Sequence, residues 1–383
     1  MNTRKEINDA EGFAGSKLLC ASFNQDQSCF AVGYENGFRV YNADPMDIKV
    51  KREFGSNGGI GLTRMLYRTN YLALIGGGKN PRFPLNKVII WDDLKTKDAL
   101  NLNFYSPVLN VYLSRTRIVV VLNNKIYIHG FSSPPKSIAQ YETFDNPLGI
   151  SSLSPGTYQD QATNLQILAF PARVVGQIQI VDISSSGQER NLVSIIKAHK
   201  SKIRCLALNK SGTMLASASE TGTIIRIHST QNCSLLYEFR RGLDRAEIYS
   251  MEFSQNGSKL AVLSDKQTLH VFNITNNQQQ SNKHHILKNL PGIVRPAYFN
   301  STWSFCSIHL KNEESNDTGS DSNDDRGVLG WSSESSIIIL WKLRGKWEKY
   351  VIIENEEITS DGNHIKKFEL VREGWRSFGD LNE

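Results

Sequence analysis

Two stretches of this chain can be laid over each other residue by residue, and that repetition limits the fold more than any other feature. KIRCLALNKSGTMLASASETGTIIRIH, from Lys202, matches EIYSMEFSQNGSKLAVLSDKQTLHVF, from Glu247, at an offset of 45 residues. Gly212 then meets Gly257, Leu215 and Ala216 meet Leu260 and Ala261, Ser219 meets Ser264, and Thr223 meets Thr268. Each copy reads as an alternating strand, a short polar turn holding a glycine, a second strand of small and branched residues, another turn and a third strand. No useful length of sequence shows the 3.6-residue helical period. A repeat near 45 residues is that of a four-stranded propeller blade.

The same grammar recurs more faintly along the chain. LLCASFNQDQSCFAVGYENGFRVYN comes first, then YLALIGGG with KVIIWDD, whose Trp91-Asp92 dipeptide is of the kind seen in WD repeats. VLNVYLSRTRIVVVLNNKIYIHG, LQILAFP with GQIQIVDI, the two clear repeats, and VLGWSSESSIIILWK with WEKYVII complete seven units. Seven such units need roughly 315 residues, which leaves room for insertions. A closed ring also explains how so many short strands avoid exposed edges. The expected fold is therefore all-β, a single seven-bladed β-propeller of the WD40-like kind spanning residues 1–383.

Three segments break the pattern. Residues 313–325 (EESNDTGSDSNDD) hold six acidic residues and no basic one, and read as a disordered loop. Residues 276–300 (NNQQQSNKHHILKNLPGIVRPAYFN) are too long for a hairpin, and their second half interleaves Ile286, Leu287, Leu290, Pro291, Ile293 and Val294 with Lys288 and Arg295. Gly76-Gly77-Gly78, with Pro81 and Pro84, reads as a turn-rich loop.

Composition excludes several classes. No run of about 18 apolar residues exists to span a membrane as a helix, and the first residues lack the apolar run of a secretory signal, so a cytoplasmic location is expected. The five cysteines, Cys20, Cys29, Cys205, Cys233 and Cys306, are scattered without a Cys-x-x-Cys pair, which argues for reduced thiols and against structural zinc. No carboxylate pair, nucleophile elbow, metal-ligand spacing or phosphate-cradling P-loop is present, so neither an enzyme nor a resident cofactor or metal is expected. The net charge is +6 with the acidic run included, and the rest is more positive still. Such a body is drawn to nucleic acid or to an anionic membrane surface. Basic residues interleaved with stacking aromatics are missing, and nucleic acid is set aside.

The chemistry concentrates where the two clear repeats join, at Phe239-Arg240-Arg241-Gly242. Neighbouring side chains on an extended segment point to opposite sides, so one arginine can serve each flanking repeat. Arginine grips phosphate through its planar fork, and a glycine beside the pair lets the backbone turn and leaves open approach. In the first repeat Ser219, Thr221, Thr223 and Arg226 cluster in SETGTIIR with His199 just upstream; in the second, Ser264, Lys266, Thr268 and His270 cluster in SDKQTLH. Hydroxyls, ammonium and imidazole beside an arginine suit a phosphorylated polyol. Other readings stay open: solvated surface arginines, turn hydroxyls that satisfy local backbone, a structural His199, a core His270, and a WD-type scaffold whose arginines grip an acidic peptide without any lipid dependence.

FNQDQSCFAVGYENGFRVYN, GGGKNPRFPLNKVIIWDD, the FRRG box followed by IYSMEFSQNGSKLAVLSDKQTLHVF, and REGW occur in an order that resembles the PROPPINs, polyphosphoinositide-binding propellers that include autophagy proteins related to human WIPIs. The resemblance implies two head-group sites on the propeller rim, for phosphatidylinositol 3-phosphate and 3,5-bisphosphate. By position, Arg240 with His199, Ser219, Thr221, Thr223 and Arg226 would form the first. Arg241 with Ser264, Lys266, Thr268 and His270 would form the second. It further implies that residues 276–300 are the sixth blade's membrane-inserting loop, that the surface of the second blade recruits an autophagy partner, and that a monomer sits peripherally on vacuolar, endosomal or pre-autophagosomal membranes. The family usually has glycine where this chain has Gln267. The modest insertion and overall length favour a member acting in selective or nuclear microautophagy.

Overall fold

A computed structural model describes residues 17–155, 165–190, 193–274, 283–284, 302–310, 325–358 and 364–378. These residues form seven antiparallel sheets in chain order, the blades of a propeller: residues 18–53, 60–103, 110–142, 152–197, 203–240, 248–309 and 327–377. Each blade runs outward from an inner strand beside the axis, and neighbouring inner strands touch round the ring. The seven units read from the sequence are the seven blades.

The repeats showed three strands apiece, whereas every blade has a fourth. The outer strands, such as Asp47–Glu53 (DIKVKRE) and Lys97–Asn103 (KDALNLN), bury little and keep charged or polar side chains on the rim. Without a buried face they carry no strong apolar pattern, which is why sequence alone under-reads them. The second strands are the reverse. Cys29–Tyr34 and Ser336–Trp341 are buried at every position because a neighbouring blade covers each face.

The core therefore lies between blades. One cluster joins Ala216, Ala218, Ile225, Ile227 and Phe239 of blade 5 to Ile248, Met251, Phe253, Leu260, Val262 and Phe272 of blade 6. Phe239 stacks on Phe272 with ring centroids 4.8 Å apart and planes at 13°. Burying each such ring contributes roughly 2 kcal/mol or more, and Phe239 is the residue just before Arg240.

Two departures from the simple ring matter for the site. The chain leaves blade 6 after its third strand, Thr268–Asn273, and before its fourth, Cys306–His309, adds two short strands to blade 5. Thr302–Trp303 runs parallel to Leu235–Arg240, with Thr302 opposite Phe239 and Trp303 opposite Arg240, and Lys283–His284 pairs outside it. The chain just after the 276–300 insertion is thus paired with the FRRG strand. Ile286, Leu287, Leu290, Ile293 and Val294 lie outside the described residues, as does most of the acidic run 313–325. Its last member, Asp325, is buried, accepting from the amides of Leu343 and Arg344 at 2.7 and 3.0 Å and from Arg344 Nε at 3.0 Å. The expectation of a disordered loop fails at that residue because this carboxylate caps a turn of blade 7.

Second, blades 1 and 7 each take their four strands from their own stretch of chain, 18–53 and 327–377, so among the described residues no shared strand joins them. Side chains close the ring. Phe30, Val32, Tyr41, Ala43 and Met46 pack against Ile338, Leu340, Trp347 and Phe378, and Trp347 Nε1 donates to the Ala43 carbonyl at 3.0 Å. Among the described residues no helix is long and apolar enough to cross a membrane.

Candidate functional site

Strand register decides where each arginine goes. In blade 5, Ser217 on Met214–Ser219 faces Arg226 on Ile224–Ser229, which faces Glu238 on the outer strand; two rows nearer the turn, Ile224 faces Arg240. Alternation puts Phe239, Ala218 and Ile225 on the side packed against blade 6. Arg240, Arg226, Ser217 and Ser219 consequently share the other side, towards blade 4. The connector from blade 4 meets them there: His199 Nε2 lies 3.0 Å from Ser217 Oγ, and Arg226 donates to the Ala198 carbonyl.

Arg241 follows the strand and turns the opposite way. It is buried, its amide donates to the Thr223 carbonyl at 3.0 Å, and its guanidinium donates to the carbonyls of Gly222 at 2.9 Å and Asp244 at 2.6 Å. Burial pulls its pKa below the ordinary arginine value, opposed by the nearby charges of Asp265 and Asp244. In blade 6, His270 faces Val262, a residue of the cluster shared with blade 5. Ser264, Thr268 and His270 hence look towards blade 5 and Arg241. The pair therefore serves two blade faces, one on each side of blade 5.

Both sides are lined by hydroxyl pairs. Ser219 Oγ sits 2.9 Å from Thr221 Oγ1, and Ser264 Oγ sits 3.0 Å from Thr268 Oγ1. His270 Nδ1 lies 3.1 Å from Ser304 Oγ. The two imidazoles are neutral at pH 7: burial and Arg226 push His199 down to about 4, and burial and Arg241 push His270 down to about 4. Lys266 is exposed on its turn. A Cβ at Gly242 would meet no atom within 4 Å, so the glycine does leave open approach. Its φ is not in the left-handed region, however, so the expected need for glycine to turn the chain there is not what the backbone shows.

Some readings change. His199 bonds to a second-strand serine of the next blade, as a structural WD-type histidine does, although it also borders the Arg226 pocket. Arg226 Nε is paired with Glu238 Oε2 at 2.8 Å, so this guanidinium already holds a carboxylate. The constant offset of 45 also slips by one at the turn. Four residues separate Ser219 from Ile224, but only three separate Ser264 from Thr268, and pairing makes His270 the structural counterpart of Arg226. Gln267 has φ 51° where Gly222 has φ 59°, so the left-handed turn that glycine favours is kept with a side chain. The sequence did not single out Glu238, Asp265, Ser217, Ser304 or Trp303. Only Glu238 carried a local signal, a carboxylate one residue from the FRRG box.

Among the described residues no cluster of His, Cys, Asp and Glu could hold a metal. What the arrangement offers is a set of hydrogen-bond donors. Guanidinium, hydroxyl and imidazole N–H groups can bind a phosphate and its neighbouring ring hydroxyls.

Comparisons with known proteins agree with this architecture. A family model described as PROPPIN matches residues 17–286. SVP1-like protein 2 of Pichia angusta is 54% identical over 99% of each chain. The solved Kluyveromyces lactis Hsv2 with its complete loop 6CD superposes with a TM-score of 0.74 at 30% identity, covering 94% of this chain and 99% of that one. KlAtg21, solved in complex with the coiled-coil of AgAtg16, matches at a TM-score of 0.67 and 21% identity over 94% and 99% of the two chains, a likeness of fold alone. The chain belongs to the PROPPIN family, non-catalytic, phosphoinositide-binding β-propellers of autophagy.

Proposed function

We propose that this protein is a phosphoinositide effector that reads phosphatidylinositol 3-phosphate and 3,5-bisphosphate through two rim sites and so is recruited reversibly to vacuolar, endosomal or pre-autophagosomal membranes. Arg240 with Ser219, Thr221, Thr223, Arg226 and His199 forms the first site; Arg241 with Ser264, Lys266, Thr268 and His270 forms the second. The observation that carries the reading is the opposite facing of the two guanidiniums, one towards blade 4 and one towards blade 6. Each contact alone is weak. Two on one rim multiply, because the first binding event holds the second site at high effective concentration. Ile286, Leu287, Leu290, Ile293 and Val294 add an apolar anchor, and each basic residue near an anionic leaflet contributes about 1 kcal/mol.

Flotation with vesicles containing either lipid tests the proposal. Arg240→Thr and Arg241→Thr should each weaken capture about tenfold or more, and the double variant should not float. Flotation of a folded double variant at the wild-type level would refute it. Protein recruitment through the surface of blade 2 is a compatible second role.

A further inference from the structure

The third and outer strands of blade 5 present few charges on the face towards blade 4, and register says which. Along Ile224–Ser229 the side chains on that face are Ile224, Arg226 and His228, and along Leu235–Arg240 they include Glu238 and Arg240. Ile225, Ile227, Tyr237 and Phe239 pack towards blade 6 instead. His228 and the adjoining His199 are neutral at pH 7, since burial and Arg226 push both down to about 4. Two guanidiniums and one carboxylate therefore set the charge of these two strands on this face. Glu238 stands directly opposite Arg226 in the ladder, and lies two residues before Arg240, roughly 7 Å along the same strand. With the Arg226 side chain 29% and that of Glu238 45% exposed, the pair stands at the open edge of the pocket, within reach of a ligand.

Arg226 is held from two sides. Its Nε donates to Glu238 Oε2 at 2.8 Å and its Nη1 donates to the Ala198 carbonyl. A guanidinium has five N–H donors, so others can still meet ligand oxygens, but the charge is already matched by a carboxylate. The second site differs at the same place. There His270 is the structural counterpart of Arg226, and the outer-strand residue opposite it is Ser307, the counterpart of Glu238. An ion pair in one site is thus a neutral imidazole and a hydroxyl in the other. Arg241, for its part, donates to the carbonyls of Gly222 and Asp244.

Building on the two-site phosphoinositide reading, we propose that Glu238 is the specificity-determining residue of the first rim site. As the built-in counter-ion of Arg226 it leaves Arg240 to hold a single phosphate monoester, and it repels a second monoester brought close to Arg226. Such a group carries about −1.5 to −2 charge near pH 7, and a like charge roughly 7 Å away in a partly solvated pocket shifts affinity severalfold. The second site has no carboxylate on the matching row and takes the bisphosphorylated head group.

Vesicle titration tests this with Glu238→Gln, which keeps an oxygen acceptor for Arg226 Nε and removes only the charge. In the Arg241→Thr chain, whose capture reads the first site, Glu238→Gln should raise affinity for phosphatidylcholine vesicles carrying phosphatidylinositol 3,5-bisphosphate about fivefold or more. The gain on vesicles carrying the 3-phosphate should be about twofold or less. Glu238→Gln alone in the wild type should shift the ratio of the two affinities the same way, so the result does not hang on the folding of Arg241→Thr. Phosphatidylserine vesicles of matched charge should be captured no better than by the parent chain. An unchanged ratio, with both affinities at or below those of the parent, makes the ion pair merely structural and overturns the proposal. An equal gain on phosphatidylserine vesicles overturns it in favour of general surface charge. If neither the wild type nor Arg241→Thr is captured through either phosphoinositide, the two-site reading itself falls, and the role of Glu238 with it.

Discussion

Arg241 Nε stands 2.9 Å from the Gly222 carbonyl oxygen, so the second arginine of the FRRG box is held by the blade 5 turn while its charge acts on His270 in blade 6. The two adjacent arginines are therefore unequal in what they do for the fold. Arg241→Thr leaves the carbonyls of Gly222 and Asp244 without a donor and should cost about 1–3 kcal/mol of stability. Arg240→Thr, at a half-buried rim position, should cost less than about 1 kcal/mol. Urea unfolding of both variants measures the asymmetry, and equal losses would contradict it.

Gly222 has φ 59°, and a Cβ there would lie 1.7 Å from the Ala246 carbonyl oxygen. Gly222→Ala must move either that turn or the 241–247 connector, and the left-handed conformation alone costs roughly 1–2 kcal/mol. The seat of Arg241 moves with it. Flotation should fall about as far as with Arg241→Thr, and urea unfolding should show a loss of at least about 2 kcal/mol.

Glu252, beside the axial cavity, is pushed up to about 8 by burial, against the effect of its hydrogen bond from Gln27 Nε2 at 2.8 Å. Between its ordinary value of 4.5 and about 8 the folded protein holds a proton that the unfolded chain has released, so stability falls as pH rises through that window. The slope is at most about 1.4 kcal/mol per pH unit. Glu252→Gln keeps an acceptor for Gln27 and should raise the urea midpoint at pH 8 while changing it little at pH 5. A shift of the same size at both pH values would rule out this titration.

His228 has the opposite sign. Burial, then Arg226, pushes it down to about 4, and its Nδ1 has no hydrogen-bond partner. Between 6.5 and 4 the unfolded chain takes up a proton that the folded one refuses, so stability is lost as pH falls through that range and is flat above it. His228→Phe should make the acid limb shallower. His199 and His270 titrate in the same sense and keep some slope in place.

The repeat at 45 residues made the blades legible, because strands buried on both faces, like Lys259–Ser264, leave dense apolar runs. Ser219 and Ser264 were legible too, each closing a second strand just before a turn. Beyond that turn the offset misled. Pairing is counted in rows across the sheet, so one extra turn residue in blade 5 matches His270 with Arg226 although a linear alignment does not. The parallel pairing of Trp303 with Arg240 joins residues far apart in the chain, and no local pattern announces it. Nor does composition distinguish Asp325, a buried cap, from the acidic residues before it.

The seam between blades 7 and 1, fastened by Trp347, Phe378, Phe30 and Tyr41 with no strand in common, also sets an order for biogenesis. Blade 1 leaves the ribosome first, and its apolar flank has no cover until residues 327–378 have been synthesised. During translation that flank is a sticky surface for which chaperones and neighbouring nascent chains compete. Substitutions in the last blade would then show up as lost protein yield before any loss of lipid capture.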